Sequence, residues 1–376
     1  MKERNTKFTV LSAIAMVLVI LGHLNFNVLT FGDIFSYYSY HVLIFVFISG
    51  YFYKTENEDR IIRYILHKLK TLMLPYFVWN VIYGLVAVML HGAGFELGQE
   101  FNIYNLLVAP FVGGHQFMYN AVAWFVPALF LLEVCNVCAR KILSFCRIRN
   151  EWIIASLYLI AGIFAIYMAI RGSVYDYYKI PGRLMLMAPV FQLGRLYKDK
   201  LERLDIIPSA IYIPVLFAIN LLLVLTMGGL NYSVVWVTGF ANGPIVPYIT
   251  AVTGIALWLR IAGIIAALIE SGGRSDSITA NVIRYIGSNT YSIMMHQLMA
   301  FLCINAIFNA LSKAGLCSDF DAVSYHTDIY YTYNLMGCEG FKWAYFALGI
   351  MLPLVIGWCT DRLLKRALVI FKKDKN

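Results

Sequence analysis

A histidine stands inside the first long apolar run of the chain. The run extends from Val10 to Val28, contains no charged residue, and carries His23 about three quarters of the way along. An ionisable group in hydrocarbon is costly, so it usually faces a cavity or a polar partner. A neutral imidazole there could act as a general base or as a nucleophile. A histidine that packs between helices, or that lies at the lipid headgroups, fits the sequence equally well.

The composition indicates which class of protein positions this histidine. Of the 376 residues, 60% are hydrophobic and only 14% are charged, against about 25% charged residues in soluble domains. The chain is therefore predicted to be an all-α integral membrane protein. Its net charge of +9 is interpreted as a topology signal, and no nucleic-acid partner is expected. Cys135 and Cys138 have no second ligand pair nearby, so no metal site is expected.

The apolar runs predict about ten transmembrane helices in a single polytopic domain, residues 1–376. A span needs about 20 apolar residues, and two of the runs are shorter, near 16. The runs lie at 8–30, 38–53, 72–91, 119–139, 152–170, 181–197, 206–227, 245–268, 285–311 and 341–363.

The basic residues predict the orientation of these spans. If the N-terminus is cytoplasmic, 24 of the 30 Lys and Arg residues fall on the cytoplasmic side and five fall on the outer side. Cytoplasmic loops are enriched in Lys and Arg, so both termini are predicted to be cytoplasmic. His23 then lies roughly 22 Å from the cytoplasmic end of its run, in the outer half of the bilayer.

Six segments, in order along the chain, resemble the integral-membrane acyltransferase family (acyltransferase family 3), whose members acylate bacterial surface sugars. Each segment alone is a weak apolar pattern, but their order and spacing are specific. The segments are LSAIAMVLVILGH at 11–23, HVLIFVFISGYFYK at 41–54, KLKTLMLPYFVW at 68–79, AWFVPALFLLE at 123–133, FQLGRLYK at 191–198 and YIGSNTYSIMMHQL at 285–298.

The resemblance implies a multi-pass protein of a bacterial cell membrane that acts as an O-acetyltransferase-like enzyme. An acyl group, with acetyl expected, would pass from cytoplasmic acyl-CoA to a hydroxyl of a cell-surface or lipid-linked carbohydrate. Acyl-CoA is then a co-substrate, and no bound cofactor is expected. The histidine that the family holds to be catalytic corresponds to His23, as general base or as nucleophile.

Three residues are predicted to bind the donor. The family usually has an arginine eleven positions before its histidine, and this chain has Ser12 there. Eleven residues are close to three helical turns, so Ser12 shares a face with His23 and offers a hydrogen bond without a charge. Lys68 and Lys70 match the family's basic segment before Leu-Pro-Tyr and suit phosphates. The enrichment of basic residues in cytoplasmic loops explains these two lysines equally well.

Four more residues are predicted to line the acceptor side. Arg183 resembles a family arginine and could bind an acidic or hydroxyl-rich acceptor. An interfacial arginine that snorkels to the headgroups is an equally good interpretation of this residue. His41 is predicted at a depth similar to that of His23. His296 ends a family segment inside a span, where it is either a cavity residue or a packing residue. Trp124 is predicted to be a cavity wall or an interfacial aromatic residue.

Two other functions fit the sequence. A secondary transporter of a carbohydrate would also be polytopic, but transporters often show internal repeats and the halves of this chain show no convincing similarity. The second alternative is a non-catalytic member of the family, which the serine at position 12 suggests.

Overall fold

Helices make up nearly all the regular structure in the residues that the structure describes. The computed structural model describes residues 5–230, 232–271 and 277–373, with side chains up to residue 363. The fifteen α-helices are α1 Thr6–His23, α2 His41–Tyr51, α3 Ile61–Lys68, α4 Leu74–Gly92, α5 Ile103–Leu107, α6 Ala109–Val112, α7 Phe125–Phe145, α8 Glu151–Ile170, α9 Lys179–Leu196, α10 Ser209–Met227, α11 Val246–Ser271, α12 Ile278–Ser288, α13 Thr290–Lys313, α14 Ala322–Thr327 and α15 Lys342–Lys373.

Eight helical stretches in the described part of the chain are long and apolar enough to cross a membrane. One of them joins α3 to α4 through a π-helical turn at Leu69–Met73. The all-helical membrane class is therefore supported. Of the ten apolar runs predicted to be spans, eight correspond to these helical stretches. The eight stretches are Thr6–His23, Ile61–Gly92, Ala121–Phe145, Glu151–Ile170, Ser209–Met227, Val246–Ser271, Thr290–Lys313 and Glu339–Leu363.

The two shorter predicted runs form helices that pack against each other. Helix α2 has 11 residues and α9 has 18, and neither is among the eight. Two glycines allow the two backbones to touch: an added Cβ would lie 1.8 Å from the Phe191 carbonyl oxygen at Gly50, and 2.1 Å from the Phe47 carbonyl oxygen at Gly194. Close backbone contact between small residues is the usual way to pack helices in lipid.

Helix α1 occupies the middle of the helical assembly. It packs against α2, α11, α12 and α13. Its side chains divide between two hydrophobic clusters, with Leu11 and Leu18 in one and Met16 and Ile20 in the other. Asn5 is the N-cap of this helix: its side chain accepts a hydrogen bond from the Phe8 amide and so satisfies a free backbone donor. We name the two ends of the assembly after this helix, the Lys7 end and the His23 end.

Helix α10 has few protein neighbours. Only 11% of its apolar window is buried. It packs against α11, and its Phe217 ring meets the rings of Phe31 and Phe35 at centroid distances of 5.2 and 4.9 Å. The segment after α10 forms a turn closed by the backbone bridge between Ser233 and Thr238, which we call the 233–238 turn.

Candidate functional site

Five separate segments enclose a cavity at the His23 end. They are the end of α1, the 3-10 turn before α2, the segment 113–124, the 233–238 turn and the segment after α14. The cavity has a volume of about 360 Å³, within the range of small-molecule sites. The imidazole, phenol and indole side chains that line it are those of His23, Tyr38, His115, Trp124, Trp236 and Tyr330.

The His23 ring is held by one hydrogen bond and one aromatic contact. Its Nδ1 lies 3.2 Å from the amide oxygen of Gln297, and its ring stacks on Tyr330 at a centroid distance of 5.5 Å. An amide oxygen can only accept, so Nδ1 carries the proton in this hydrogen bond. The lone pair of the neutral ring is then on Nε2. This is the nitrogen that can take a proton or attack a carbonyl carbon.

Gln297 was not among the residues predicted from sequence. Its side chain is fully buried, and its amide nitrogen has no hydrogen-bond partner among the described residues. Gln297 follows His296 directly in the family segment at 285–298. Neighbouring residues on a helix point about 100° apart, and this offset explains why the two side chains reach different partners.

His296 faces helix α4. Its Nδ1 lies 2.9 Å from the Tyr83 hydroxyl, and the edge of its ring meets Trp79 at a centroid distance of 4.2 Å. The side chain is buried and does not line the cavity at His23. His296 therefore lies in a packed, hydrogen-bonded environment, and it precedes Gln297, the partner of His23, in the sequence.

His41 lies one side chain away from the cavity. Its Nδ1 donates to the Tyr37 carbonyl oxygen at 2.5 Å, and its ring meets Tyr38 edge to face at 5.5 Å. Tyr38 in turn lines the cavity and donates its hydroxyl proton to the Gly22 carbonyl oxygen at 2.8 Å. His41 is buried behind Tyr38.

His115 is a second cavity histidine, and it was also missed. Its Nδ1 donates to the Gly113 carbonyl oxygen at 2.8 Å, and its ring stacks on Trp236 at 4.8 Å. Burial and the positive charge of Arg183 lower the pKa of His115 to about 3, so the ring is neutral near pH 7. The turn needs Gly114, which has φ +81° and where an added Cβ would lie 2.8 Å from the Trp124 Cα. A short Gly-Gly-His-Gln stretch between apolar runs was the available signal.

Arg183 is buried beside the cavity. Its Nε donates to the Val235 carbonyl oxygen at 2.8 Å, and Nη1 and Nη2 both lie 3.3 Å from the Gly113 carbonyl oxygen. The guanidinium carbon lies 4.5 Å from the ring centroid of Trp124, which lines the cavity. Among the described side chains, Arg183 has no ion-pair partner.

The three predicted donor residues lie outside this cavity. The Ser12 hydroxyl donates to the Phe8 carbonyl oxygen of its own helix at 2.8 Å. Lys68 forms an ion pair with the buried Glu133, at 2.7 Å between Nζ and Oε1. Lys70 is exposed. Of the two lysines, therefore, Lys68 already has an anionic partner.

A larger cavity lies at the Lys7 end. Its volume is about 1100 Å³, and Lys7, Glu270 and Arg284 contribute charged side chains to its wall. Lys7 also donates to the Tyr197 hydroxyl at 3.0 Å and lies 3.6 Å from Glu202 Oε1. The two cavities are therefore at opposite ends of α1, a helix of 18 residues and roughly 27 Å.

Comparison with known proteins identifies the family. The family model of the acyltransferase domain matches residues 5–362, nearly the whole chain. No curated protein and no solved structure matches the chain significantly. The match spans all the helices that surround the two cavities, and it confirms the resemblance seen in the six segments. The chain belongs to acyltransferase family 3.

Proposed function

We propose that this protein transfers an acyl group, with acetyl expected, from cytoplasmic acyl-CoA to a hydroxyl of a cell-surface or lipid-linked carbohydrate. The observation that carries the proposal is the hydrogen bond from His23 Nδ1 to Gln297 at a cavity walled by aromatic rings. It leaves Nε2 as the basic atom of the neutral ring, available to take a proton. The family supports acyl transfer, and the geometry around His23 supports our proposal that this residue carries the reaction.

His23 is the only side chain of the protein that the proposed proton transfers require. As the sugar hydroxyl attacks the thioester carbonyl, Nε2 takes the hydroxyl proton. The tetrahedral intermediate then collapses, the carbon–sulfur bond breaks, and the coenzyme A thiolate takes the proton from the imidazolium. In the covalent alternative Nε2 attacks the thioester first, the carbon–sulfur bond breaks and coenzyme A leaves as the thiolate; the sugar hydroxyl then takes the acyl group from Nε2 and its proton goes to the thiolate.

The acceptor is proposed to bind between the aromatic walls. Trp124 offers a flat apolar face for the apolar face of a sugar ring, while Tyr38 and Tyr330 can hydrogen-bond to the sugar hydroxyls. Arg183 is proposed to orient the acceptor from behind Trp124. His41 supports Tyr38, and His296 braces the turn of α13 that carries Gln297.

The donor is proposed to bind at the Lys7 end. The phosphates of coenzyme A need cations, and Lys70 is exposed there, while Lys7 and Arg284 belong to the cavity wall. Ser12 lies between this cavity and His23 along α1 and contributes a hydroxyl without a charge. We propose that the Lys7 end faces the cytoplasm of a bacterial cell and the His23 end faces the outer side.

The test replaces His23 and measures transfer of labelled acetyl groups from acetyl-CoA to membrane glycan. His23→Asn keeps a hydrogen-bonding group at this position but removes basicity, so we expect about a 100- to 10,000-fold loss of transfer with normal folding and donor binding. His91→Asn is the matched control, because His91 is exposed and bonds the Leu97 carbonyl oxygen. Transfer by His23→Asn at the wild-type rate would exclude a catalytic role for His23.

A further inference from the structure

The cavity at His23 has a wall without acidic side chains. Among the described residues that line it, none is Asp or Glu. Two cations stand directly behind its two tryptophans: the Arg183 guanidinium carbon lies 4.5 Å from the centroid of Trp124, and Lys179 Nζ lies 4.5 Å from the centroid of Trp236. Each tryptophan wall of the cavity therefore has a positive charge against its ring.

The charge of Arg183 has only neutral partners in the described part of the chain. Its hydrogen bonds go to the carbonyl oxygens of Gly113 and Val235. Carbonyl dipoles solvate a cation only in part, and a buried charge without a counter-ion is unfavourable. The Gly113 carbonyl oxygen also accepts from the cavity residue His115, and this shared acceptor places the guanidinium next to the cavity wall.

Two carboxylates lie near this region, and neither cancels the field. Asp176 interacts electrostatically with Lys179, so it offsets part of that lysine's charge. Asp328 accepts a hydrogen bond from the Tyr330 amide at 2.8 Å and is exposed, where water screens it. The histidines His23 and His115 can add no negative charge. The charged groups named here therefore favour an anion over a cation in the cavity.

We infer that the acceptor is an anionic carbohydrate, which carries a carboxylate or a phosphate close to the hydroxyl that is acylated. The inference rests on the proposed function in one respect, namely that the ligand of this cavity is the acceptor. The preference for an anion is argued from the residues around the cavity alone. A ligand oxyanion near Trp124 and His115 would supply the counter-charge that Arg183 lacks. Arg183 and Lys179 do not line the cavity, so their charges act on the ligand across the two tryptophan rings and favour an acidic sugar over a neutral sugar of the same shape.

Binding to the purified protein tests the inference without any turnover. Tryptophan fluorescence is titrated with glucuronate, with glucose 1-phosphate and with glucose, which share the ring and differ in the oxyanion. We expect at least one of the two anions to bind about tenfold more tightly than glucose, which equals ~1.4 kcal/mol, with an advantage that shrinks at high salt. The two anions separate a sugar carboxylate from the phosphate of a lipid-linked sugar.

Two variants locate the source of the preference. Arg183→Met and Lys179→Met should each reduce the anion advantage, while Arg171→Met, at an exposed arginine stacked on Tyr167, should keep it. If Arg183→Met does not fold, Lys179→Met decides. Equal binding of glucose and both anions, or no binding of either anion, would overturn the inference, as would an undiminished anion advantage in Lys179→Met. Failure of the proposed function is a separate result, because it is read from the transfer activity of His23→Asn.

Discussion

At the scale of single residues, the partner of the central histidine is a neutral amide. Gln297 Oε1 accepts from His23 Nδ1 and so selects the ring tautomer whose Nε2 is basic. A carboxylate could do the same, but a charge at this buried position would need its own compensation in a membrane protein. The amide orients the imidazole without adding a charge between helices α1 and α13.

This arrangement makes Gln297 a positioning residue whose loss should change turnover more than binding. Gln297→Met keeps the size and removes the acceptor, so we expect kcat to fall about 10- to 100-fold, a part of the general-base contribution, while KM for both substrates stays within about twofold. Gln297→Glu restores an acceptor and should recover part of kcat. The measurement is steady-state transfer of labelled acetyl groups.

Ser292→Ala is the matched control for Gln297. Ser292 lies on the same helix and donates to the Pro353 carbonyl oxygen at 2.6 Å, so its loss tests the effect of any missing hydrogen bond on α13. Wild-type kcat in Gln297→Met, or an equal loss in Ser292→Ala, would contradict the positioning role.

Sequence reasoning identified His23 because it is an ionisable residue in an otherwise uncharged run. It could not find Gln297, since no local pattern links two residues that lie 274 positions apart and meet only through the packing of α1 on α13. The same limit applies to Arg183: the arginine was predicted, but its partners are backbone carbonyls, which leave no signature in a sequence. His115 was missed because its role depends on the stack with Trp236.

At the scale of helices, the α2–α9 pair shows how short elements are stabilised inside the assembly. Neither is long and apolar enough to count among the eight candidate spans, yet the backbones of the two helices are in direct contact. Gly50 and Gly194 are the residues that permit this contact. The apolar runs predicted both helices, and the contact between them could not be predicted, since single glycines occur in many helices without such a role.

Gly194→Ala should therefore separate α2 from α9. The new Cβ would lie 2.1 Å from the Phe47 carbonyl oxygen, and overpacking against backbone costs about 1–3 kcal/mol or more. We expect a clearly lower midpoint of thermal unfolding in detergent. Gly92→Ala is the control, because an added Cβ at Gly92 meets no atom within 4 Å. An unchanged midpoint in Gly194→Ala would contradict the close contact.

The two lysines that are predicted to bind the donor differ in their contacts, and their substitutions should therefore have different effects. Lys70→Ala should raise the KM for acetyl-CoA about 3- to 10-fold, in a salt-dependent manner, and leave stability unchanged. Lys68→Ala should instead destabilise the protein by about 2–4 kcal/mol, because it leaves Glu133 buried without its cation.

A second substitution checks the explanation for Lys68. Glu133→Gln, added to Lys68→Ala, should restore thermal stability, since no unpaired charge remains. Lys54→Ala, at an exposed lysine of the same loop, is the control for donor affinity. If Lys70→Ala and Lys54→Ala have the same KM for acetyl-CoA as the wild type, the basic loop has only a topological role.

At the scale of the whole molecule, helix α1 joins two cavities, of about 360 and 1100 Å³. The sequence predicted about ten spans, and eight of these runs form helices long and apolar enough to cross a membrane in the described residues, because about 20 apolar residues define a span. It could not predict either cavity, since each wall combines segments that are distant in the chain. Which cavity faces the cytoplasm follows from the basic residues alone and stays a prediction.

Cysteine labelling tests this orientation. In a cysteine-free background, Glu56→Cys in the loop 54–71 should be protected from a membrane-impermeant maleimide in intact cells and react after lysis. Lys313→Cys, at the predicted outer end of α13, should react in both. Asn376, also predicted to be cytoplasmic, lies outside the described residues. Labelling at position 56 in intact cells would reverse the orientation and place the donor on the wrong side.

Through helix α10, the thickness of the bilayer should affect the geometry of the acceptor site. Most of its surface is not covered by other parts of the protein, and the chain runs from its end into the 233–238 turn, which carries Trp236 to the cavity. Its 19 residues span roughly 28 Å, close to the thickness of an average bilayer core. A thinner bilayer should tilt the helix and shift Trp236. Transfer rates in vesicles of shorter-chain lipids should therefore fall through a higher KM for the acceptor, with the KM for acetyl-CoA constant.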